Sequence, residues 1–180
     1  DVLAPIREYG DPIADAVGPH KYAAFQQAFD PLLTEGARNY WKSHNFRALS
    51  DDAIDTAVEY AANLPSPQSE IFFAQLGGKM ARVTSDATAY PHRDAEYVMN
   101  VHTRWEDPAM DDDCIPWARE FFDAMAPYTS GGAYVNFISE DAGEEARGYG
   151  DNYDRLVALK TKYDPDNLFR MNQNVEPEQR

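Results

Sequence analysis

Two short stretches place hydrogen-bonding side chains at every second residue. Between Glu96 and Trp105, Asn100 and His102 alternate with Met99, Val101 and Thr103; after Gly131-Gly132, Tyr134 and Asn136 alternate with Ala133, Val135 and Phe137. In a strand, residues two apart share a face, so each stretch reads as one polar and one apolar face. A phenol, an imidazole and two carboxamides on one surface suit binding a small molecule and taking a proton from it. Tyr134 and His102 are the proton acceptors of the set; Asn100 and Asn136 can only orient, because a carboxamide takes no proton near neutral pH. Tyr134 would need a nearby cation to act near neutrality. An antiparallel sheet with one solvated face is also ordinary without any site.

Other chemistries find less support. His92-Arg93 reads as a surface or structural pair, and the four histidines show neither Cys/His ligand spacing nor HExxH. Asp111-Asp112-Asp113 lacks calcium-loop spacing and reads as an acidic helix start. Ser85 and Ser130 have no nucleophile-elbow context, and Gly77-Gly78 and Gly131-Gly132 read as turns rather than a phosphate loop.

The elements that must position these residues follow from periodicity. Residues 20–28 read as a helix with Tyr22, Phe25 and Phe29 apolar, stopped by Asp30-Pro31. Residues 39–49 read as a strand. Ser50 N-caps a helix whose apolar stripe is Ile54, Ala57, Val58 and Ala61. Residues 70–76 are a strand, 80–83 a short partner strand, 96–105 a strand and 133–138 another. Between the last two lies a helix with Pro116 near its first turn and Trp117, Phe121, Phe122 and Met125 buried. Leu156, Leu159 and Tyr163 stripe a terminal helix that Asp164-Pro165 ends. The order predicts an α+β fold: a largely antiparallel sheet, helices on one face, and a C-terminal helical segment. The helices take the apolar faces, which leaves Asn100, His102, Tyr134 and Asn136 together on the open one.

Composition sets the bounds. In 180 residues, 43% hydrophobic and 13% aromatic content supports a globular core. A net charge of −15 argues against nucleic acid as a partner. Cys114 is the single cysteine, so no internal disulfide forms. No apolar run reaches membrane-span length and no signal-peptide pattern opens the chain, so no membrane partner is expected; the compartment stays open, with the cytoplasm favoured. A start at Asp1 without methionine reads as a fragment or a processed product.

The C-terminal stretch is more specific. Tyr149-Gly150, Asn152, Arg155-Leu156, Lys160, Tyr163-Asp164-Pro165, Asn167 and Phe169, followed by Asn172-Gln173-Asn174-Val175, resembles the C-terminal signature of the berberine-bridge-enzyme-like, FAD-linked oxidases. Tyr40-Trp41-Lys42-Ser43, Gly77-Gly78, residues 88–93, the strand ending at Trp105 and Tyr134-Val135-Asn136-Phe137 occur in the order of that family's substrate domain.

The resemblance implies a substrate domain over 1–145 whose sheet covers a flavin ring, and a 146–180 segment that docks on a flavin domain outside this chain. Family members oxidise an alcohol, sugar or alkaloid carbon by hydride transfer to FAD, a side-chain base taking the proton and oxygen commonly reoxidising the flavin. Asn100 stands where a Glu, Gln or Asp is often found; Phe137 stands where some members carry a tyrosine base, and it has no hydroxyl. The expected roles are therefore catalytic for Tyr134 and His102, substrate-binding for Asn100, Asn136, Lys42 and Gln75, and cofactor-binding for Asn136, Asn172 and Asn174. No metal is expected. Because FAD would be held mainly by the domain this stretch lacks, the chain alone is expected to be inactive. The competing expectation is a stand-alone, non-catalytic α+β module that homodimerises through its open sheet face.

Overall fold

The computed structural model describes residues 2–10, 12–33, 35–138 and 148–178. The chain divides into two compact units, Asp1–Gly36 and Ala37–Arg180. The expected domain boundary at 145/146 and the charged loop before Gly148 lie outside the described residues.

The first unit has two short helices, α1 (Ala4–Arg7) and α2 (Tyr22–Gln26), and a 3₁₀ turn at Asp30–Leu32. Proline at the second position of that turn pre-sets its backbone angle. Arg7 pairs with Asp15 at 2.6 Å, and Asp15 accepts from the Val17 amide at 2.9 Å. Tyr22, Phe25 and Phe29 are more than half exposed, so α2 has no buried stripe.

The second unit is built on three antiparallel strands, β1 (Arg38–Phe46), β2 (Glu70–Gln75) and β3 (Tyr97–Trp105), in the order β1-β3-β2. Register places Trp41, His102 and Glu70 on one rung, Ser43, Asn100 and Phe72 on the next, and Asn45, Val98 and Ala74 on the third. These rungs form one face. The other face carries Tyr40, Phe46, Met99, Val101 and Trp105 into a core with α3 (Asp51–Ala61) and α5 (Asp111–Met125). Helices therefore cover one face of an antiparallel sheet, and the fold is α+β.

Local chemistry explains the element ends. Ser50 Oγ accepts from the Ala53 amide at 3.2 Å and caps α3. Asp111 opens α5, where a carboxylate meets the positive helix end. Both of its oxygens accept from the Arg38 fork, at 2.5 and 2.6 Å, and one also accepts from Trp105 Nε1 at 2.7 Å. The helix start is thus tied to the first residue of β1 and the last of β3. The Arg38 hydrogen bonds hold the Asp111 carboxyl below the usual carboxylate range, against some desolvation.

Three sequence expectations change. In α3 the buried face is Ala53 and Ala57, with Ile54 and Val58 turned outward, because Tyr60 packs on Phe121 at 5.1 Å and small residues let the helix approach. Residues 80–83 are not a strand: α4 (Gly78–Ala81) forms there, after Gly77 and Gly78 adopt φ of 152° and 62°. Residues 133–138 form no strand either. Gly131 and Gly132 at φ 82° and 76° turn the chain, and a 3₁₀ turn at Val135–Phe137 follows, closed by the Phe137 amide on the Tyr134 carbonyl at 2.8 Å. Instead of strand pairing, Ser43 Oγ accepts from the Tyr134 amide at 3.0 Å. The C-terminal helix α6 (Tyr153–Tyr163) ends as expected, with the Asp164 carboxylate accepting from the Leu168 and Phe169 amides at 2.7 and 3.0 Å.

His102 knits all three strands. Its Nδ1 lies 3.2 Å from Glu70 Oε1 on β2, its Nε2 lies 2.9 Å from Asn39 Oδ1 on β1, and the Trp41 ring packs on it at 4.6 Å. Two oxygens suit the doubly protonated ring, whereas burial opposes the charge. Burial is the larger effect, so His102 sits below the ordinary histidine range with Glu70 pulling it back up. The contact with Glu70 is therefore a hydrogen bond of a neutral ring near pH 7 rather than an ion pair.

Two outcomes follow for stability. Phe121 is fully buried at the centre of the helix–sheet core, so Phe121→Ala should destabilise by about 3–5 kcal/mol in urea unfolding. A neutral buried histidine binds protons more readily unfolded than folded. The stability it contributes is present above the ordinary histidine pKa of about 6.5 and is lost as pH falls through the lowered folded value. Urea midpoints at pH 7.5 and 5.0 should differ less in His102→Gln than in the wild type; parallel pH dependences would remove His102 as the cause.

Candidate functional site

On the face away from the helices, a cavity of about 520 Å³ opens beside β2 and β3. Phe72, Ala74 and Val98 form its floor, Leu76 and Met80 one side, and Tyr90 and the 134–137 turn the rest. Its walls are rings set edge to face: Phe72 on Phe137 at 5.6 Å, Tyr134 on Phe137 at 5.0 Å and Tyr90 on Tyr134 at 6.0 Å. Asn136 Nδ2 donates to the Tyr134 hydroxyl oxygen at 3.2 Å. Among the described residues none that lines it is charged.

The wall is held by groups remote from it. Ser43 fixes Tyr134 through the backbone. Gly132 packs so closely on His92 that a Cβ there would lie 2.3 Å from His92 Cε1, and its φ is left-handed, so both demands select glycine. Asn152 Nδ2 donates to the carbonyls of Ser85 and Thr88 at 2.6 and 3.0 Å, and Arg155 donates to the Asp86 carbonyl at 3.0 Å. Their spacing of three puts both on one side of the helix start. They hold the loop that delivers Tyr90. Gln173 Nε2 donates to the Ile138 carbonyl at 2.8 Å and fixes the far end of the turn.

The residues singled out from sequence divide clearly. Tyr134 and Asn136 line the cavity together. Asn100 shares their side of the sheet, between Ser43 and Phe72; it is 2% exposed, and its Oδ1 has no hydrogen-bond partner among the described residues. His102 is on the same face one rung further along, held by Glu70 and Asn39, and does not line the cavity. The face is not open at its centre, since Ser43, Asn100 and His102 are 2%, 2% and 4% exposed. Lys42 pairs with Val101 on the helix side, its Nζ 4.7 Å from the Phe122 ring centre. Gln75 shares that parity at the end of β2 and is exposed. Asn172 is exposed at φ 59°; Asn174 is half-buried with an unpartnered Oδ1 among the described residues.

Sequence reading missed Tyr90, Phe72, Met80 and Gln173. Tyr90 carried a signal, as the aromatic before Pro91-His92-Arg93. Burial raises the Tyr90 phenol above the ordinary tyrosine range, while Arg93, whose guanidinium lies 4.9 Å from the Tyr90 ring centre, pulls it down.

A second cavity, of about 660 Å³, lies on the other side of the 130–134 segment and is polar, with Arg47, Arg93, Asp94 and Asp151 among its lining. Arg47 and Asp94 pair there, which lowers the Asp94 carboxyl. Among the described residues no cluster of three metal-ligating side chains occurs, and no helix is long and apolar enough to cross a membrane.

The same segment is where a family model matches: residues 133–176 fit the family described as "Berberine and berberine like". "Berberine bridge enzyme-like C-1" of Nicotiana tabacum is 35% identical over 81% of this chain and 31% of its own length. "Uncharacterized FAD-linked oxidoreductase YgaK" of Bacillus subtilis is 28% identical over 98% of this chain and 40% of its own. Among solved structures, berberine-bridge-enzyme-like 28 from Arabidopsis thaliana superposes with a TM-score of 0.73 at 22% identity, covering 80% of this chain and 34% of that one, a likeness of fold. The chain thus spans well under half the length of these relatives. The family match takes in the 134–137 turn of the cavity and the C-terminal segment that holds it, and with these relatives the chain belongs to the berberine-bridge-enzyme-like FAD-linked oxidoreductases.

Proposed function

We propose that this chain is the substrate-side part of an FAD-dependent oxidoreductase that oxidises a small alcohol or amine-like carbon, with oxygen as final acceptor. The observation that carries the reading is the uncharged, ring-walled cavity with its paired Tyr134 and Asn136, in a chain whose relatives are named as FAD-linked oxidoreductases. When bound, FAD supplies the hydride acceptor. Among the described residues no basic side chain lines the cavity, so the cofactor's pyrophosphate would be held elsewhere. A 146–180 segment docking on a separate flavin domain fits the exposure of Leu168, Phe169 and Met171 at 75%, 77% and 84%.

The chain's own residues then have distinct tasks. The aromatic walls hold the substrate and exclude water. Tyr134 acts as the phenolate: its Oη takes the substrate's hydroxyl proton and becomes a neutral phenol, and the Asn136 N–H that donates to that oxygen steadies its negative charge before the transfer. His102, committed to two other strands, positions the sheet. Asn100 orients the floor under Phe72. A stand-alone module that dimerises through an open sheet face has less support, because the centre of that face is buried within this chain.

In the FAD-containing protein, Tyr134→Phe should slow single-turnover flavin reduction by about 10²-fold, the scale of a lost proton acceptor. His102→Gln should leave that rate near wild type. Wild-type reduction by the Tyr134 variant would place the acceptor outside this chain. The 180-residue chain itself, titrated with FAD, should give no saturable fluorescence quenching at micromolar concentration; stoichiometric binding would overturn the assignment of the cofactor to a separate domain.

A further inference from the structure

The distribution of charge around the two cavities bears on what the ring-walled one accepts. Among the described residues, no charged side chain lines it. Arg93 lies across the Tyr90 ring and donates from its two terminal nitrogens to the Met80 carbonyl at 3.3 Å and Thr88 Oγ1 at 2.6 Å, while its Nε has no hydrogen-bond partner among the described residues. Arg47 and Asp94 pair with each other in the polar cavity. In the ring-walled cavity the polar side chains are Tyr90, Tyr134 and Asn136, and one donor of that set is already used within it. What remains for a ligand is the Tyr134 O–H, the Tyr90 hydroxyl, and the carbonyl and second N–H of Asn136, groups enough for one or two polar substituents.

That inventory satisfies one or two hydroxyl or carbonyl groups and little more. A sugar brings a hydroxyl on nearly every carbon, and each one buried without a partner weakens binding by roughly ten- to a hundred-fold. A carboxylate or ammonium has no counter-charge here, and desolvation penalises it more. A planar ring system meets the opposite situation. Phe72, Tyr134 and Phe137 pack edge to face on one another, with 5.6 and 5.0 Å between ring centres, and together make one continuous aromatic wall against which a planar ring can lie.

From this we infer that the cavity selects a planar, uncharged, largely apolar molecule carrying a single oxidisable hydroxyl, and rejects polyhydroxylated sugars and charged compounds. The inference rests on the reading above that this cavity holds the substrate. Specificity is then set by the missing partners for extra polar groups, because a site without them cannot repay their desolvation. Tyr90 belongs to it as a positioning residue, placed by the loop that Asn152 and Arg155 hold.

The test uses the 180-residue chain with its phenylalanine and tyrosine rings labelled for NMR, and three probes: 2-naphthalenemethanol, 2-naphthoate and glucose. The first should shift the Phe72, Tyr134 and Phe137 resonances saturably. Naphthoate should bind at least ten-fold more weakly, and glucose at ten-fold higher concentration should move none of them. Ala74→Glu, which sets a charge in the floor on an edge strand, should weaken naphthalenemethanol at least ten-fold while the circular dichroism spectrum stays unchanged. Glucose or naphthoate binding as tightly as naphthalenemethanol would overturn the inference, as would naphthalenemethanol leaving these rings unmoved. The two levels fail separately. Flavin reduction by sugars and not by aromatic alcohols in the FAD-containing protein would sink the selectivity and keep the oxidoreductase. The expected binding pattern with no flavin reduction by any alcohol would do the reverse.

Discussion

β3 is paired on both edges and buried on both faces, and the rest of the second unit is arranged around the demands this makes. A strand in that position has no solvent to fall back on, so every polar side chain on it must find a partner within the protein. The odd positions avoid the problem by being mostly apolar and taking α3 and α5. The even positions keep Asn100, His102 and Arg104, and for His102 the neighbouring strands supply Asn39 and Glu70. His102 is the clearest case, with an oxygen set against each ring nitrogen, to one of which the neutral ring donates. Asn100 is the case left incomplete, since its carbonyl oxygen has no partner among the described residues. A buried acceptor without a donor is costly, and it lies directly under the cavity floor.

The family-specific residues act mainly on backbone. Asn152, Arg155 and Gln173 each end on main-chain carbonyls, of residues 85, 86, 88 and 138. Asp164 works the same way on the amides of Leu168 and Phe169. Side chains that bind backbone can hold a loop of almost any sequence in one shape. The C-terminal stretch therefore fixes the geometry of the cavity wall without fixing which side chains line it, which is how one scaffold can serve several substrates.

Where sequence was informative, one physical signal dominated. Alternation in 97–105 gave both faces of β3, because its two environments differ in polarity, and Ser50 marked a cap that the structure contains. Ile54 and Val58 misled because apolar periodicity reports which residues prefer burial. It does not report that Tyr60 and Phe121 would fill the space and leave room only for alanines. Residues 133–138 alternate as well as 97–105 do. What decides there is Gly131-Gly132, whose positive φ angles turn the chain before a ladder can form. Lys42 and Gln75 followed from motif position alone, and strand parity sets them with the helices. Gln173 was hidden between two asparagines that looked the better ligands; its role depends on a contact 35 residues away in sequence, which no local pattern encodes.

The loss of the fourth strand changes why Tyr134 and Asn136 meet. In a strand, parity would put both on one face and hold them nearly 7 Å apart, too far for a direct bond. In a 3₁₀ turn the residues that eclipse are three apart, so Tyr134 meets Phe137 edge to face and the intervening Asn136 folds back on the phenol. The turn thus makes a hydrogen-bonded phenol–amide pair that a strand could not. It also sets Phe137 where its ring meets Phe72 and closes the apolar wall. A tyrosine there would bring a third hydroxyl, beside those of Tyr90 and Tyr134, into a space that offers it few partners, so the missing hydroxyl at Phe137 and the uncharged lining are two expressions of the same apolar site.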